Sequence, residues 1–188
     1  MGQARDLGLL ALRLGVGGIS FAHGAQKLFG WYGGYGRKGT GQFFESIGFA
    51  GGERDATLAG LCEAGGGVLI ALGLGTGSAG AALAGNMVVA SSVHAPKIFV
   101  TDGGLETPAT YGLVGAVLSL TGPGRYSVDA LTGGVLNKPW MRVVTAVGGA
   151  ASAYYLISQR AKVLAARPAE PEPVEADNAE GGQPDDLG

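Results

Sequence analysis

A single cysteine, Cys62, serves the whole 188-residue chain. That excludes an intramolecular disulfide, a CxxC redox pair and a Cys-based zinc site. Charge is scarce as well: Asp, Glu, Lys and Arg together make up 15% of the residues, too few for a basic nucleic-acid surface. The 37 glycines follow no Gly-X-Y period, so collagen is excluded. The long apolar segments lack the polar stripe, repeating at helical period, that a soluble bundle would show. No internal repeat of the kind that builds transporters stands out, which leaves a permease little support.

The charge that is present is unevenly distributed. From Gln159 to the end the chain holds seven acidic and three basic residues, which leaves a slightly basic body. The terminal stretch ARPAEPEPVEADNAEGGQPDDLG is acidic, rich in proline and free of aromatics. It cannot bury enough apolar surface to offset its chain entropy, so residues 161–188 are expected to be a disordered tail.

A membrane-crossing helix needs roughly 20 mainly apolar residues. Leu7–Phe29 meets this, with Arg13, His23 and Lys27 inside it or near its end. Arg13 interrupts its apolar run, so it reads as a retained helix rather than a signal peptide. Ala56–Leu74, with Glu63, and Ser78–Val100, with Asn86 and His94, form a hairpin across Gly75–Gly77. Pro108–Thr121 is shorter; Thr107 suits its N-cap and Pro108 its first turn. Val143–Ile157 is a fifth apolar stretch, between 130 and 160, flanked by Trp140, Tyr154 and Tyr155. Small residues recur four apart at Gly112 and Ala116, and at Thr145, Gly149 and Ala153. Such faces allow close packing within the protomer or in a homo-oligomer. The expected fold class is therefore all-α, a membrane helical bundle of four core helices (residues 1–129) plus a fifth C-terminal helix, with the lipid bilayer as its first partner. The loop Gly30–Asp55 opens on Trp31, Tyr32 and Tyr35, and its FFESIGF piece predicts a short interfacial helix able to act as a lid.

Consecutive spans alternate in direction, which groups the polar residues by depth. His23, Glu63 and His94 each fall six or seven residues from one common surface, roughly 9–11 Å deep. Lys27 and Lys97 lie just above them. Ionisable groups at such depth face the bundle interior and mark sites. Imidazoles beside a carboxylate can pass protons or hydrogen-bond a carbonyl of quinone type; the competing reading is a polar clamp that only holds helices together. The two histidines and the acid have no within-helix spacing that supports a metal site. Arg13 and Asn86 share the opposite leaflet, where Arg13 either pairs with Asn86 or snorkels to the surface. Cys62 stands about 100° around the helix from Glu63, as a small buried residue rather than a reactive thiol.

These elements have a familiar order. HGAQKLFG (His23–Gly30), CEAGGGVLIALGLGTG, MVVASSVHAPKIF and GPGRYSVD (Gly122–Asp129) resemble the DoxX family of bacterial membrane proteins, from about Leu7 to Asp129. The resemblance implies a four-helix membrane bundle in the bacterial plasma (inner) membrane. It implies an association with quinone-linked sulfur oxidation or with thiol and oxidative-stress homeostasis, and it carries His23, Lys27, Glu63 and His94 over as site positions without fixing a reaction. The expectation is a redox-linked subunit binding a quinone or similar apolar carrier at His23, Lys27, Glu63, His94 and Lys97, with Arg13 and Asn86 as structural polar residues. The alternative is a non-enzymatic scaffold that docks soluble redox or stress-response partners. Whether the chain is an enzyme, as a subunit of a quinone- or thiol-linked oxidoreductase, stays open, and quinone is the one cofactor suggested.

Overall fold

Residues 2–168 are described by a computed structural model, and among them every regular element is helical. Seven α-helices follow in order: α1 (Gly2–Phe29), α2 (Gly36–Ser46), α3 (Gly52–Leu72), α4 (Thr76–His94), α5 (Glu106–Thr121), α6 (Val128–Leu131) and α7 (Pro139–Ala165). Single 3-10 turns stand at Trp31–Gly33 and Val100–Asp102. The acidic tail expected to be disordered lies outside the described residues from 169 onward.

The helices pack in alternating directions. Antiparallel α1 and α3 form one pair, antiparallel α4 and α5 another, and α3 and α4 join them as a hairpin. α7 lies parallel to α4 along its outer side. One end of the bundle carries the end of α1, all of α2, the start of α3, the loop after α4 and the end of α7. The opposite end carries the N-terminus, the Gly73–Gly75 hairpin and the segment 122–138.

Large apolar side chains are buried where α3, α4 and α5 meet, at Ile70, Leu83 and Leu118, but the inward face of α1 is small and polar and its outward face apolar. On α1 the buried residues are Arg13, Gly17, Ser20, Gly24 and Ala25, while Leu7, Leu14 and Ile19 face outward. α1 and α3 are long and apolar enough to cross a membrane, yet only 22% and 39% of their apolar windows are buried. A core helix of a water-soluble protein would bury most of its apolar surface, and contiguous exposed apolar faces on this scale mark contact with another apolar phase. The fold is that of a helical membrane bundle.

Glycines set the spacing between helices. A Cβ on Gly17 would lie 2.6 Å from the Gly67 carbonyl oxygen, and one on Gly67 would lie 2.6 Å from both the Gly17 carbonyl oxygen and Phe21 N. Between α4 and α5, Gly80 and Gly115 approach each other in the same way. Between α4 and α7, Gly85 meets Gly149, and Ala153 is buried one turn on. The expected small-residue face at Thr145, Gly149 and Ala153 is thus used within the protomer, against α4.

Several boundaries differ from the sequence expectation, each for a local reason. α4 ends at His94, not Val100, because Ala95 precedes Pro96 and takes an extended conformation. α5 begins at Glu106, not Pro108, and Leu105 rather than Thr107 stands at its N-cap, with no side-chain cap bond. The fifth helix is 27 residues, about 40 Å, instead of a 15-residue stretch, and runs past residue 160 to Ala165. Arginines hold both ends of it. Arg142 donates to the Ser119 and Leu120 carbonyls at the end of α5, and Arg160 and Arg167 donate to the Ile47, Ser46 and Glu45 carbonyls at the end of α2. Cations at helix C-termini complement both the free carbonyls and the helix dipole. α2 itself starts before FFESIGF and packs on α3.

Two glycines of α3 separate packing from propensity. Nothing lies within 4 Å of a Cβ on Gly65, whereas Gly67 is closed by α1. Gly65→Ala should leave thermal stability in detergent unchanged or slightly raised. Gly67→Ala should destabilise by about 1–3 kcal/mol through overpacking, read as a clear drop in melting temperature relative to Gly65→Ala.

Candidate functional site

Three helices present one face each to a shared cavity of about 250 Å³. Ser20, His23 and Lys27 come from α1, Met87, Ala90 and His94 from α4, and Pro108 and Tyr111 from α5; Glu63 of α3 closes the floor. The spacings i, i+3 and i+7 on α1 and α4 are those of a single helix face. The 3-10 segment at Val100, with Gly103 and Gly104, covers the outer side. That cover is the loop after α4, not α2, so the expected FFESIGF lid does not stand over this cavity.

Glu63 is the polar centre. It is 5% exposed. Its Oε2 lies 2.5 Å from Lys27 Nζ, and its Oε1 accepts from Asn86 Nδ2 at 3.2 Å. A buried carboxylate requires such partners, a cation and a neutral donor, to remain charged in an apolar medium. Glu63 lies deeper than its sequence position suggests. α3 starts four residues before Ala56, so Glu63 lies 11 residues into the helix, or about 16 Å. Asn86 reaches it from mid-α4. Asn86 therefore belongs to the same layer as Glu63, not to the opposite leaflet beside Arg13.

His94 and His23 flank this centre. His94 Nδ1 lies 2.7 Å from the Gly103 carbonyl oxygen. A carbonyl can only accept, so Nδ1 carries the hydrogen, and in the neutral ring Nε2 is left as an acceptor. The His23 ring meets Tyr111 edge-on, with centroids 6.3 Å apart, and protein leaves much of this residue uncovered. The cavity thus combines an ammonium donor, an imidazole acceptor and walls of Met87, Ala90, Val100 and Pro108.

The structure brings together His23, Lys27, Glu63 and His94, but not Lys97. Lys97 follows the end of α4, is exposed and does not line the cavity. Ser20 and Tyr111 are not among the residues expected from sequence, and Asn86 is expected only as a structural polar residue of the opposite leaflet. The face periodicity of α1 pointed to Ser20, three residues before His23. Asn86 and Tyr111 required knowing how α4 rotates and which helix stands opposite. Among the described residues no three His, Cys, Asp or Glu side chains come together as a metal site. Cys62 Sγ lies 3.6 Å from the Ala82 carbonyl oxygen, at the α3–α4 contact and off the cavity lining.

Arg13 serves a separate cluster at the hairpin end and neither pairs with Asn86 nor snorkels. It is fully buried, and one guanidinium nitrogen donates to the Tyr126 carbonyl oxygen. Beside it, Asp129 accepts from Gly75 N at 2.9 Å and Thr76 N at 3.3 Å, and so caps α4. The Gly122–Asp129 stretch is therefore a clamp on the hairpin, remote from the cavity.

Residues 8–95 match the family described as DoxX. The chain carries a DoxX domain. It spans α1 to the end of α4 and so contains His23, Lys27, Glu63, Asn86 and His94, while Tyr111 and Gly122–Asp129 lie beyond the matched segment. No curated protein matches the chain, and no solved structure does.

The ion pair can be weighed by a double-mutant cycle. Lys27→Met strands the Glu63 carboxylate and should cost about 3–5 kcal/mol. Adding Glu63→Leu to it should restore most of that stability. Thermal melting of the single and double variants in detergent reads the difference.

Proposed function

We propose that this DoxX membrane protein is a multi-pass, inner-membrane, redox-linked subunit that holds the ring of a quinone or a similar apolar carrier in the Lys27–Glu63–His94 cavity. The observation that carries the reading is the His94 Nδ1–Gly103 bond at 2.7 Å, opposite the Lys27–Glu63 pair. It gives the cavity an acceptor of fixed tautomer beside a fixed cationic donor. A ring bearing a carbonyl would take a hydrogen bond from Lys27. A ring bearing a hydroxyl would give one to His94 Nε2. Both forms of a carrier that alternates between carbonyl and hydroxyl are therefore accommodated, and the apolar walls suit the ring faces. Electron transfer itself falls to a partner, since the sequence has neither a cysteine pair nor a haem-attachment motif.

Binding of a benzoquinone carrier to the purified protein in lipid nanodiscs tests this reading. His94→Phe and the paired change of Lys27→Met with Glu63→Leu should each weaken it at least about tenfold, the loss of one good hydrogen bond to the ring. If both variants bind as the unmodified protein does, the cavity is a structural clamp.

Basic residues supply the orientation. The cavity end carries Arg37, Lys38, Arg54, Lys97, Arg160, Lys162 and Arg167, against Arg5, Arg125, Lys138 and Arg142 at the hairpin end. The positive-inside tendency puts the cavity end in the cytoplasm, with five crossings. A C-terminal fluorescent-protein fusion should then be bright, and a C-terminal alkaline phosphatase fusion inactive; the reverse pattern rejects this orientation.

A further inference from the structure

A second hollow, of about 290 Å³, lies between α1 and α5, lined by Val16 on one side and Thr110 and Val114 on the other. It shares Thr107 and Tyr111 with the first cavity. The two spaces therefore meet at the Tyr111 side chain. α1 and α5 lack the close backbone packing that joins α1 to α3 and α4 to α5. At this level the seam between them is bridged by side chains, the His23 ring edge-on to Tyr111. Thr110 is exposed on it, and the neighbouring Leu113 and Ile19 are outward-facing apolar residues, so the seam opens toward lipid. The one acid at its edge, Glu106, accepts from Val100 N at 3.1 Å and is held by the loop.

We infer that this seam is the way in from the bilayer, and that the groove at Val16, Thr110 and Val114 takes the apolar tail of the molecule whose polar head lies in the cavity. The inference rests on the cavity reading proposed above and adds the route and the tail. The size of the cavity motivates it: about 250 Å³ is less than the ~300–1,000 Å³ of pockets that enclose a drug-sized ligand. A ring fits there, but a long hydrocarbon chain attached to it must leave. The groove adjoins the cavity at Thr107 and Tyr111 and borders the hydrocarbon in which such a chain is already dissolved. Tyr111 is the positioning residue at the junction. Its ring turns aside for the tail to pass and closes against His23 when the site is empty.

The test compares two probes on the full-length protein in nanodiscs: a benzoquinone with a polyisoprenoid tail, and the same ring with a methyl group in place of the tail. Thr110→Trp fills the groove from its lipid-facing side, away from the cavity floor. It should weaken the tailed probe about tenfold or more and change the tailless one less than about twofold. A photoreactive azide at the end of a short tail, used on the unmodified protein, should label the peptides holding Val16 or Val114, which frees the result from any folding defect of the variant. If both probes bind the unmodified protein, and Thr110→Trp leaves the tailed one unchanged with label elsewhere, the route is wrong while the cavity reading stands. If the unmodified protein binds neither probe, the cavity reading fails and the route falls with it.

Discussion

The close approach of α1 to α3 is the contact on which the site depends. It is permitted by Gly17, Gly24 and Gly67, where backbone and small side chains leave no room for a Cβ, and by Gly60, which is packed by the Leu28 side chain. In lipid there is no hydrophobic drive to bring apolar helices together, so association depends on dispersion contacts at short range and on interhelical polar bonds. The glycines supply the first. The second, the Lys27–Glu63 pair with Asn86, becomes reachable only because the helices are that close. Packing and chemistry are here one constraint: a wider α1–α3 spacing would leave a carboxylate and an ammonium separated in a medium that solvates neither.

The two ends of the bundle use buried charge differently. At the hairpin end, Asp129 caps α4 through backbone amides and Arg13 binds the Tyr126 carbonyl, so each charge meets backbone groups. At the other end, the acid is met by side chains from two further helices, and a hollow with an uncommitted imidazole nitrogen is left beside it. The same economy appears in α7, whose arginines bind free carbonyls at the ends of α5 and α2. A fifth helix fastened in this way is part of the bundle, and it covers α4 without touching the cavity.

Much of this was legible from residue order. Long apolar stretches interrupted by single ionisable groups marked α1, α3 and α4, because such a group inside a lipid-facing helix must find an interior partner. Four of the five residues named for the site, His23, Lys27, Glu63 and His94, do converge. Lys97 was misplaced because the helix was carried through Pro96, whose effect on Ala95 ends α4 at His94, nearly two turns before Val100. Asn86 was assigned to the wrong leaflet because Glu63 was counted from too late a helix start. An error of four residues moves a group about 6 Å along the axis, enough to exchange one partner for another.

The sequence by itself determined the solvent and the class of fold. Charge-free segments of spanning length can satisfy their backbone only as helices, and their outer faces must then be apolar. It also determined which groups would be costly to bury. What only the tertiary structure decided is which of those groups meet. Partner choice depends on helix rotation and on separations of a few ångströms between segments remote in the chain. Those are set by which glycines face each other, and no periodicity within a single helix records that.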